Sequence, residues 1–253
     1  MRKEEGEYTG YDGKKMYMCG WLPDDEPKAL VVGIPGLGSH ANALFFIGEA
    51  FASRGYAFMT HDTRGFGHYD GIKGHIDSFS EIIDDVNCFA NQMQERFPNK
   101  KTFMFGHSFG GLVILLYVLE YAEKIDGIMI PGPAVTERLE IGGVTRAIMK
   151  LLAKINVKKT FNMGLNLDLL SPNPEVAKRH KEDPLRVHEC TPRFGAEGLK
   201  AREIGFNSGP KITLPVILQQ PEDDKILIPE GNRQFFDTIA SVDKTFKMYP
   251  GLW

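Results

Sequence analysis

Short apolar runs alternate with helical patterns along most of this chain of 253 residues. The runs at 29–34, 56–60, 102–105 and 127–130 are too short for helices, and residues with helical spacing separate them. A strand that is buried on both faces reads as an unbroken apolar run, whereas a half-solvated strand alternates. The sequence therefore predicts an α/β fold with a mostly parallel central sheet and helices on both faces.

This alternation is interrupted between positions 136 and 210, where no clear buried strand is found and the residues read as helices and loops. It resumes with a strand, a helix and a last strand at 214–218, 231–240 and 245–249. We expect a core formed by residues 1–135 and 211–253. The inserted segment 136–210 is expected to be a helical cap and is called the predicted cap below.

Composition and charge exclude several classes of function. The net charge is −3 with acidic and basic residues mixed, so we expect no nucleic-acid partner. The longest apolar stretch, 112–119, is far too short to cross a membrane, and the charged start lacks the apolar region of a signal peptide. Cys19, Cys88 and Cys190 are odd in number and lack metal-ligand spacing. These features predict a cytoplasmic protein without a metal site.

The pentapeptide Gly106-His107-Ser108-Phe109-Gly110 lies between the apolar run 102–105 and a helical pattern. A sharp turn from strand to helix leaves no room for side chains on either side of a nucleophile, which explains the two glycines. The helix N-terminus favours developing negative charge. Ser108 is the predicted nucleophile, and His107 is expected to point away from it into the packing between sheet and helix.

A serine nucleophile needs hydrogen-bond donors for the oxyanion that forms on the substrate. The loop Pro35-Gly36-Leu37-Gly38 leaves the end of the first central strand, at the edge of the sheet where ligands bind in open α/β folds. The backbone N–H groups of Leu37 and Phe109 are the predicted oxyanion hole. The alternative is that the two loop glycines only make a turn.

The third catalytic component is an acid that orients the general base. Glu222, Asp223 and Asp224 follow the 214–218 strand at the same edge of the sheet, in the order of serine before acid that is typical of α/β-hydrolases. Any of them could instead be a solvated loop acid or a partner of the next helix start. The residues alone leave this choice open.

Several motifs together resemble those of the monoacylglycerol lipase and lysophospholipase group of α/β-hydrolases. The segments that carry the resemblance are 106–111, 35–40, 62–67, 183–185, 214–216 and 243–245. The resemblance implies the α/β-hydrolase fold with an inserted cap, and oxyanion donors at Leu37 and Phe109. In this group the acid lies seven residues before a glycine in the following helix, and counting back from Gly231 gives Asp224.

The chain also departs from this group. Pro35 stands where histidine is usual, and Phe66 and Tyr69 stand where histidine and serine are usual. The resemblance places the catalytic histidine directly after Trp253, and none of the seven histidines present is a convincing substitute. We hypothesise that the protein continues past Trp253 with this histidine, which the encoding sequence can test.

These observations predict a serine hydrolase of carboxylic esters that acts on monoacylglycerols or similar single-chain lipids through an acyl-enzyme on Ser108, without a cofactor. A short-chain carboxylesterase, a lysophospholipase and a peptidase on the same scaffold are alternatives. A non-catalytic lipid-binding protein is a further alternative, because Pro35 and Tyr69 depart from the usual residues.

The predicted cap carries a basic amphipathic segment. Residues 136–200 contain 12 Lys and Arg against 8 Asp and Glu. The basic residues recur every four positions among apolar ones: Arg146, Lys150, Lys154 and Lys158 with Ile148, Leu151, Leu152 and Ile155. The simpler interpretation is an apolar face packed on the core beneath a solvated basic face. The alternative is transient contact with lipid surfaces, which would make the protein peripheral at membranes.

Overall fold

The computed structural model describes residues 1–136, 138 and 141–253 of the chain. Eight strands form one sheet in the order β1-β2-β4-β3-β5-β6-β9-β10, and two further short strands pair with each other. The strands are β1 Arg2–Thr9, β2 Lys15–Leu22, β3 Leu30–Ile34, β4 Ala57–His61, β5 Thr102–Gly106, β6 Gly127–Pro131, β7 Phe161–Asn162, β8 Glu189–Cys190, β9 Val216–Pro221 and β10 Lys244–Tyr249. The helices are α1 Phe45–Ala52, α2 Ser80–Arg96, α3 Phe109–Tyr121, α4 Gly143–Lys154, α5 Pro174–Glu182, α6 Pro192–Phe206 and α7 Pro229–Thr238.

The sheet is parallel from β4 to β10, as the apolar runs predicted. Its first strands are antiparallel, because β1 and β2 form a hairpin and β2 pairs with β4 in the opposite direction. This hairpin was not predicted. β1 is an edge strand that begins with four consecutive charged residues, and half of its residues are exposed, so no apolar run marks it.

Alternate residues of β3 enter two separate apolar cores. Leu30, Val32 and Ile34 belong to the core that includes side chains of α2, α3 and α7. Val31 points the other way, into the core that includes side chains of α1. The helices therefore cover both faces of the sheet, and the mostly parallel α/β-hydrolase architecture predicted from the sequence is confirmed.

The segment between β6 and β9 leaves the sheet order undisturbed, since these two strands pair directly. It contains α4, α5 and α6 and the two-residue strands β7 and β8. Helix α6 contacts α3 of the sheet-covering layer, and α4 packs on α6. Positions 137, 139 and 140 of the predicted cap lie outside the described residues.

Candidate active site

Ser108 occupies a strained turn between β5 and α3. Its backbone has φ 56° and ψ −117°, a conformation with positive φ that residues other than glycine rarely adopt. Strain of this kind costs roughly 1–3 kcal/mol and persists only where the surroundings enforce it. Here the Ser108 N–H donates to the Pro131 carbonyl at 3.1 Å, and the Ser108 carbonyl accepts from the N–H groups of Leu112 and Ala134. The side chain remains partly exposed.

The two predicted glycines are required by close packing. A β-carbon on Gly106 would lie 2.5 Å from the Gly110 carbonyl oxygen. A β-carbon on Gly110 would lie 2.2 Å from the Ile34 carbonyl oxygen. Because β-carbons are essentially never found this close to backbone oxygens, only glycine lets α3 begin directly against the end of β3.

The loop that follows β3 lies beside this turn. Neither the Leu37 N–H nor the Phe109 N–H has a hydrogen-bond acceptor among the described residues. Leu37 lies inside a turn closed by the Ser39 N–H donating to the Gly36 carbonyl at 3.1 Å, and Phe109 is the first residue of α3. Both N–H groups are thus available to a ligand at the carboxyl edge of the parallel strands.

Among the three candidate carboxylates, the structure distinguishes Asp224. Glu222 and Asp223 are exposed, whereas Asp224 is half-buried. One oxygen of Asp224, Oδ1, accepts from the N–H groups of Ile226 and Leu227 at 2.9 and 2.8 Å. These bonds fix the carboxylate in one orientation, as a residue that positions a base requires.

A chain of hydrogen bonds links Asp224 to the backbone of Ser108. The Gln220 side-chain amide donates to Asp224 Oδ2 at 3.2 Å, and its oxygen accepts from Asn232 Nδ2 at 2.8 Å. Asn232 Nδ2 also donates to the Pro133 carbonyl at 3.1 Å, next to the Ala134 N–H that bonds Ser108. Gln220 and Asn232 are fully buried. Sequence reasoning missed both, although Asn232 is a polar residue on the apolar face that Phe235 and Phe236 mark.

His107 does not lie where the sequence predicted. Its side chain is exposed to solvent rather than packed between sheet and helix. Its Nδ1 lies near Gly36, 3.8 Å from the place a β-carbon would take there. Although the side chain reaches solvent, the protein around it desolvates the imidazole and lowers its pKa; Asp224 opposes this effect, and Arg186 adds to it. The prediction of a core position for His107 is therefore wrong.

No histidine of the described residues is hydrogen-bonded to the Ser108 hydroxyl. His40, beside the oxyanion loop, instead bonds Asp183 through Nε2 at 2.7 Å. Burial alone would raise the pKa of Asp183, but the hydrogen bonds with His40 and the Leu185 N–H outweigh it and lower that pKa. The identity of the general base therefore stays a prediction.

Comparisons with known proteins place this geometry in a family. The model of the family described as serine aminopeptidase, S33 (Hydrolase_4), matches residues 25–253. The chain belongs to this family. The match covers the strained serine, the loop at Leu37 and the acidic loop at Asp224.

Individual relatives of this hydrolase agree with the family match. A monoacylglycerol lipase of Mycolicibacterium smegmatis is 28% identical over 256 residues, which cover 99% of this chain and 90% of the relative. A soluble variant of the monoglyceride lipase of Saccharomyces cerevisiae, solved with a substrate analog, is 25% identical with a TM-score of 0.86, covering 97% of this chain and 85% of that one. An uncharacterized abhydrolase domain-containing protein of Dictyostelium discoideum is 28% identical over 244 residues, 96% of this chain but only 26% of the relative. The resemblance predicted from the motifs is confirmed.

Two departures from the usual residues of this α/β-hydrolase group have structural roles. Phe66 is completely buried, and its ring makes edge contacts with Phe109 and Phe194. The Tyr69 hydroxyl accepts from Arg64 at 3.0 Å and from Lys14 at 3.1 Å. Phe66 therefore supports the residue whose N–H is a candidate oxyanion donor.

The surface of this hydrolase also differs from one expectation. Four apolar side chains on α4 or just past its end are largely exposed and do not face the core. They are Val144 (76% exposed), Ile148 (53%), Leu151 (61%) and Ile155 (66%). The side of α4 that packs on α6 is instead formed around the buried Ala153. The simpler interpretation is therefore wrong for Ile148, Leu151 and Ile155, whereas Leu152 is half-buried. In the part of the chain that the structure describes, no helix combines the length and apolarity needed to cross a membrane.

Proposed function

We propose that this protein is a serine hydrolase that cleaves carboxylic esters of monoacylglycerols or similar single-chain lipids through an acyl-enzyme on Ser108. The observation that carries the proposal is the strained Ser108 backbone beside the N–H groups of Leu37 and Phe109, which have no acceptor among the described residues. The similarity to monoacylglycerol lipases over 99% of the chain supports the substrate class.

In the first half of the reaction, Ser108 Oγ attacks the ester carbonyl carbon and gives up its proton to a general base. The carbonyl electron pair moves onto oxygen, which accepts hydrogen bonds from the Leu37 and Phe109 N–H groups. Each such donor lowers the barrier by roughly 3 kcal/mol. The tetrahedral intermediate then collapses, the base returns the proton to the leaving alcohol, and the acyl group stays on Ser108.

In the second half, water attacks the acyl-enzyme and loses a proton to the same base. The fatty acid leaves, and Ser108 regains its hydrogen. We propose that Asp224 orients the general base. Support for this role comes from the two N–H groups and the Gln220 amide that hold the Asp224 carboxylate.

We also propose that residues 136–210 form a cap on a core of residues 1–135 and 211–253, and that α4 brings this cap onto anionic lipid surfaces. An exposed apolar stripe runs along α4 at the spacing i, i+4, i+7 and i+11, which lies on one helix face. Arg146, Lys150 and Lys154 on the same helix are exposed too. Apolar side chains would enter the acyl boundary while the cations meet anionic headgroups. The three free cysteines support a cytoplasmic location at the membrane periphery.

The substrate proposal is tested by comparing kcat/KM for monoacylglycerols of increasing chain length, p-nitrophenyl esters and aminoacyl p-nitroanilides. We expect ester hydrolysis that rises with acyl length and no release of p-nitroaniline. Faster cleavage of the anilides would instead assign a peptidase. Equal rates on short and long esters would assign a general carboxylesterase.

A further inference from the structure

A cavity of about 280 Å³ adjoins the oxyanion loop and is separate from the Ser108 turn. Its wall includes Leu37 from that loop, and its other residues come from the predicted cap, among them Asn162, Asn166, Lys181 and Arg186. The residues that line it include two cations and no carboxylate. A hollow of this composition repels cations and favours an anionic group.

The Arg186 guanidinium is the unusual member of this wall. It is half-buried, yet no carboxylate of the described residues forms an ion pair with it. Its Nη1 contacts His180 Nδ1 at 3.2 Å, and its Nη2 donates weakly to the Leu37 carbonyl at 3.4 Å. The nearby Asp183 is already bonded to His40 at 2.7 Å. Burial lowers the pKa of the guanidinium in spite of Asp183, as expected for a positive charge whose counter-ion is missing.

The other cation and the two amides line the exposed side of the cavity. Lys181 is paired with Asp168 at 2.7 Å, so its charge is already balanced. Asn162 Oδ1 accepts from the Gly164 N–H at 2.7 Å, and Asn166 Oδ1 accepts from the Asp168 N–H at 3.0 Å. Because only oxygen can accept from an N–H, these bonds fix both amide orientations and leave the two NH₂ groups as donors without a partner among the described side chains.

The cavity is also tied firmly to the catalytic loop. The Val187 N–H donates to the Gly38 carbonyl at 2.9 Å, next to Leu37. A β-carbon on Gly38 would lie 2.1 Å from the Val187 carbonyl oxygen, so the two chain segments are in direct contact. A ligand group held by Arg186 would thus lie close to Leu37, whose N–H is a candidate oxyanion donor.

We propose that this cavity binds the phosphate group of a single-chain ester substrate, so that the enzyme prefers acylglycerol phosphates to neutral monoacylglycerols. The inference rests on the proposed ester hydrolysis at Ser108 and narrows its substrate class. A guanidinium and two amide NH₂ groups offer more donors than the two oxygens of a carboxylate need, whereas phosphate oxygens can use them all. The phosphate would anchor one end of the glycerol while the ester reaches Ser108 past Leu37.

Binding is measured separately from turnover, so that failure of this inference and failure of the proposed function can be distinguished. The Ser108→Ala protein is titrated with 1-oleoylglycerol 3-phosphate and with 1-oleoylglycerol below their critical micelle concentrations. We expect the phosphate ester to bind at least about tenfold more tightly. Adding Arg186→Gln should remove that difference by weakening phosphate-ester binding about 10- to 100-fold, and Arg186→Lys should restore part of it.

The matched control is Lys211→Gln, which removes the same charge from an exposed site just before β9, at the opposite edge of the sheet. It should leave the preference for the phosphate ester unchanged.

In the active protein, kcat/KM should likewise be higher for the phosphate ester than for the neutral ester, and Arg186→Gln should reduce this ratio. A choline phosphodiester of the same acyl chain tests whether a headgroup beyond the phosphate is accepted: weaker binding than the monoester fits a closed phosphate site. Equal binding of the phosphate and neutral esters, or unchanged binding after Arg186→Gln, would overturn the inference even if Ser108 proves to be the nucleophile.

Discussion

Gly110 meets Ile34 so closely that a β-carbon on Gly110 would lie 2.2 Å from the Ile34 carbonyl oxygen. This contact sets the N-terminus of α3 against the end of β3, and thereby sets Ser108 beside the loop at Leu37. The backbone has no freedom to move apart, because Ser108 is bonded on the other side to Pro131 and Ala134.

We therefore expect Gly110→Ala to destabilise the protein by about 1–3 kcal/mol and to lower kcat on p-nitrophenyl esters at least about tenfold, since the turn must shift. The control is Gly198→Ala within α6, where an added β-carbon meets nothing within 4 Å. That change should be neutral or stabilise by up to about 1 kcal/mol. Urea unfolding and initial rates give both quantities, and equal behaviour of the two variants would contradict the packing argument.

Asp224 and Asp223 are neighbours with different surroundings, which allows a clean comparison. Asp224→Asn should lower kcat about 10⁴-fold, because the base loses the group that fixes its tautomer. Asp223→Asn should change kcat less than about threefold, since this carboxylate is exposed. Gln220→Leu should lower kcat by an intermediate factor through the lost bond to Asp224 Oδ2. A severe loss with Asp223→Asn and none with Asp224→Asn would reverse the assignment.

The exposed stripe of α4 predicts binding to anionic vesicles. The double variant Leu151→Ser with Ile155→Ser should bind phosphatidylglycerol vesicles about tenfold or more weakly in flotation, because the buried apolar area is lost. Its rate on a short soluble ester should stay unchanged. Ile72→Ser, which alters an exposed apolar side chain in a loop away from α4, should leave flotation unchanged. Failure of the wild-type protein to bind phosphatidylglycerol vesicles in flotation would refute the surface contact.

Stability should fall as the pH decreases from 7.5 to 5.5. Burial lowers the pKa of His61 and His75, and together with Arg186 and Arg179 it lowers the pKa of His180 to about 4. In this window the unfolded chain binds protons with a pKa near 6.5, whereas the folded chain keeps these rings neutral. The free energy of unfolding in urea should therefore drop by about 1–3 kcal/mol. The pKa of the Asp183 carboxyl group is lowered, so its protonation adds to the loss of stability only below about pH 4.

The variant His180→Gln should reduce this pH dependence without changing its sign. Unfolding free energies that stay constant or rise toward pH 5.5 would show that the imidazoles are not held neutral by the fold.

The parallel part of the fold could be predicted from the sequence, because each buried strand is an apolar run flanked by helical spacing. The β1–β2 hairpin could not, since an edge strand with a solvated face carries no such run. For the site, the glycines around Ser108 revealed the turn, because sterics alone demand them there. Gln220 and Asn232 escaped notice because their importance lies in hydrogen bonds across four separate segments. The direction of the α4 apolar face could not be predicted, because it depended on which side α6 would cover. The exposure of His107 could not be predicted either, because it depended on whether neighbouring segments would cover the side chain.

The central claim is that Ser108 is the reactive nucleophile. Its most direct test is labelling of the protein with a fluorophosphonate, followed by mass spectrometry of the modified peptide. We predict a single adduct on Ser108, lost in Ser108→Ala and retained in Ser53→Ala, which alters an exposed serine after α1. An adduct on another residue, or the absence of labelling in a folded protein that still binds lipid, would contradict the account.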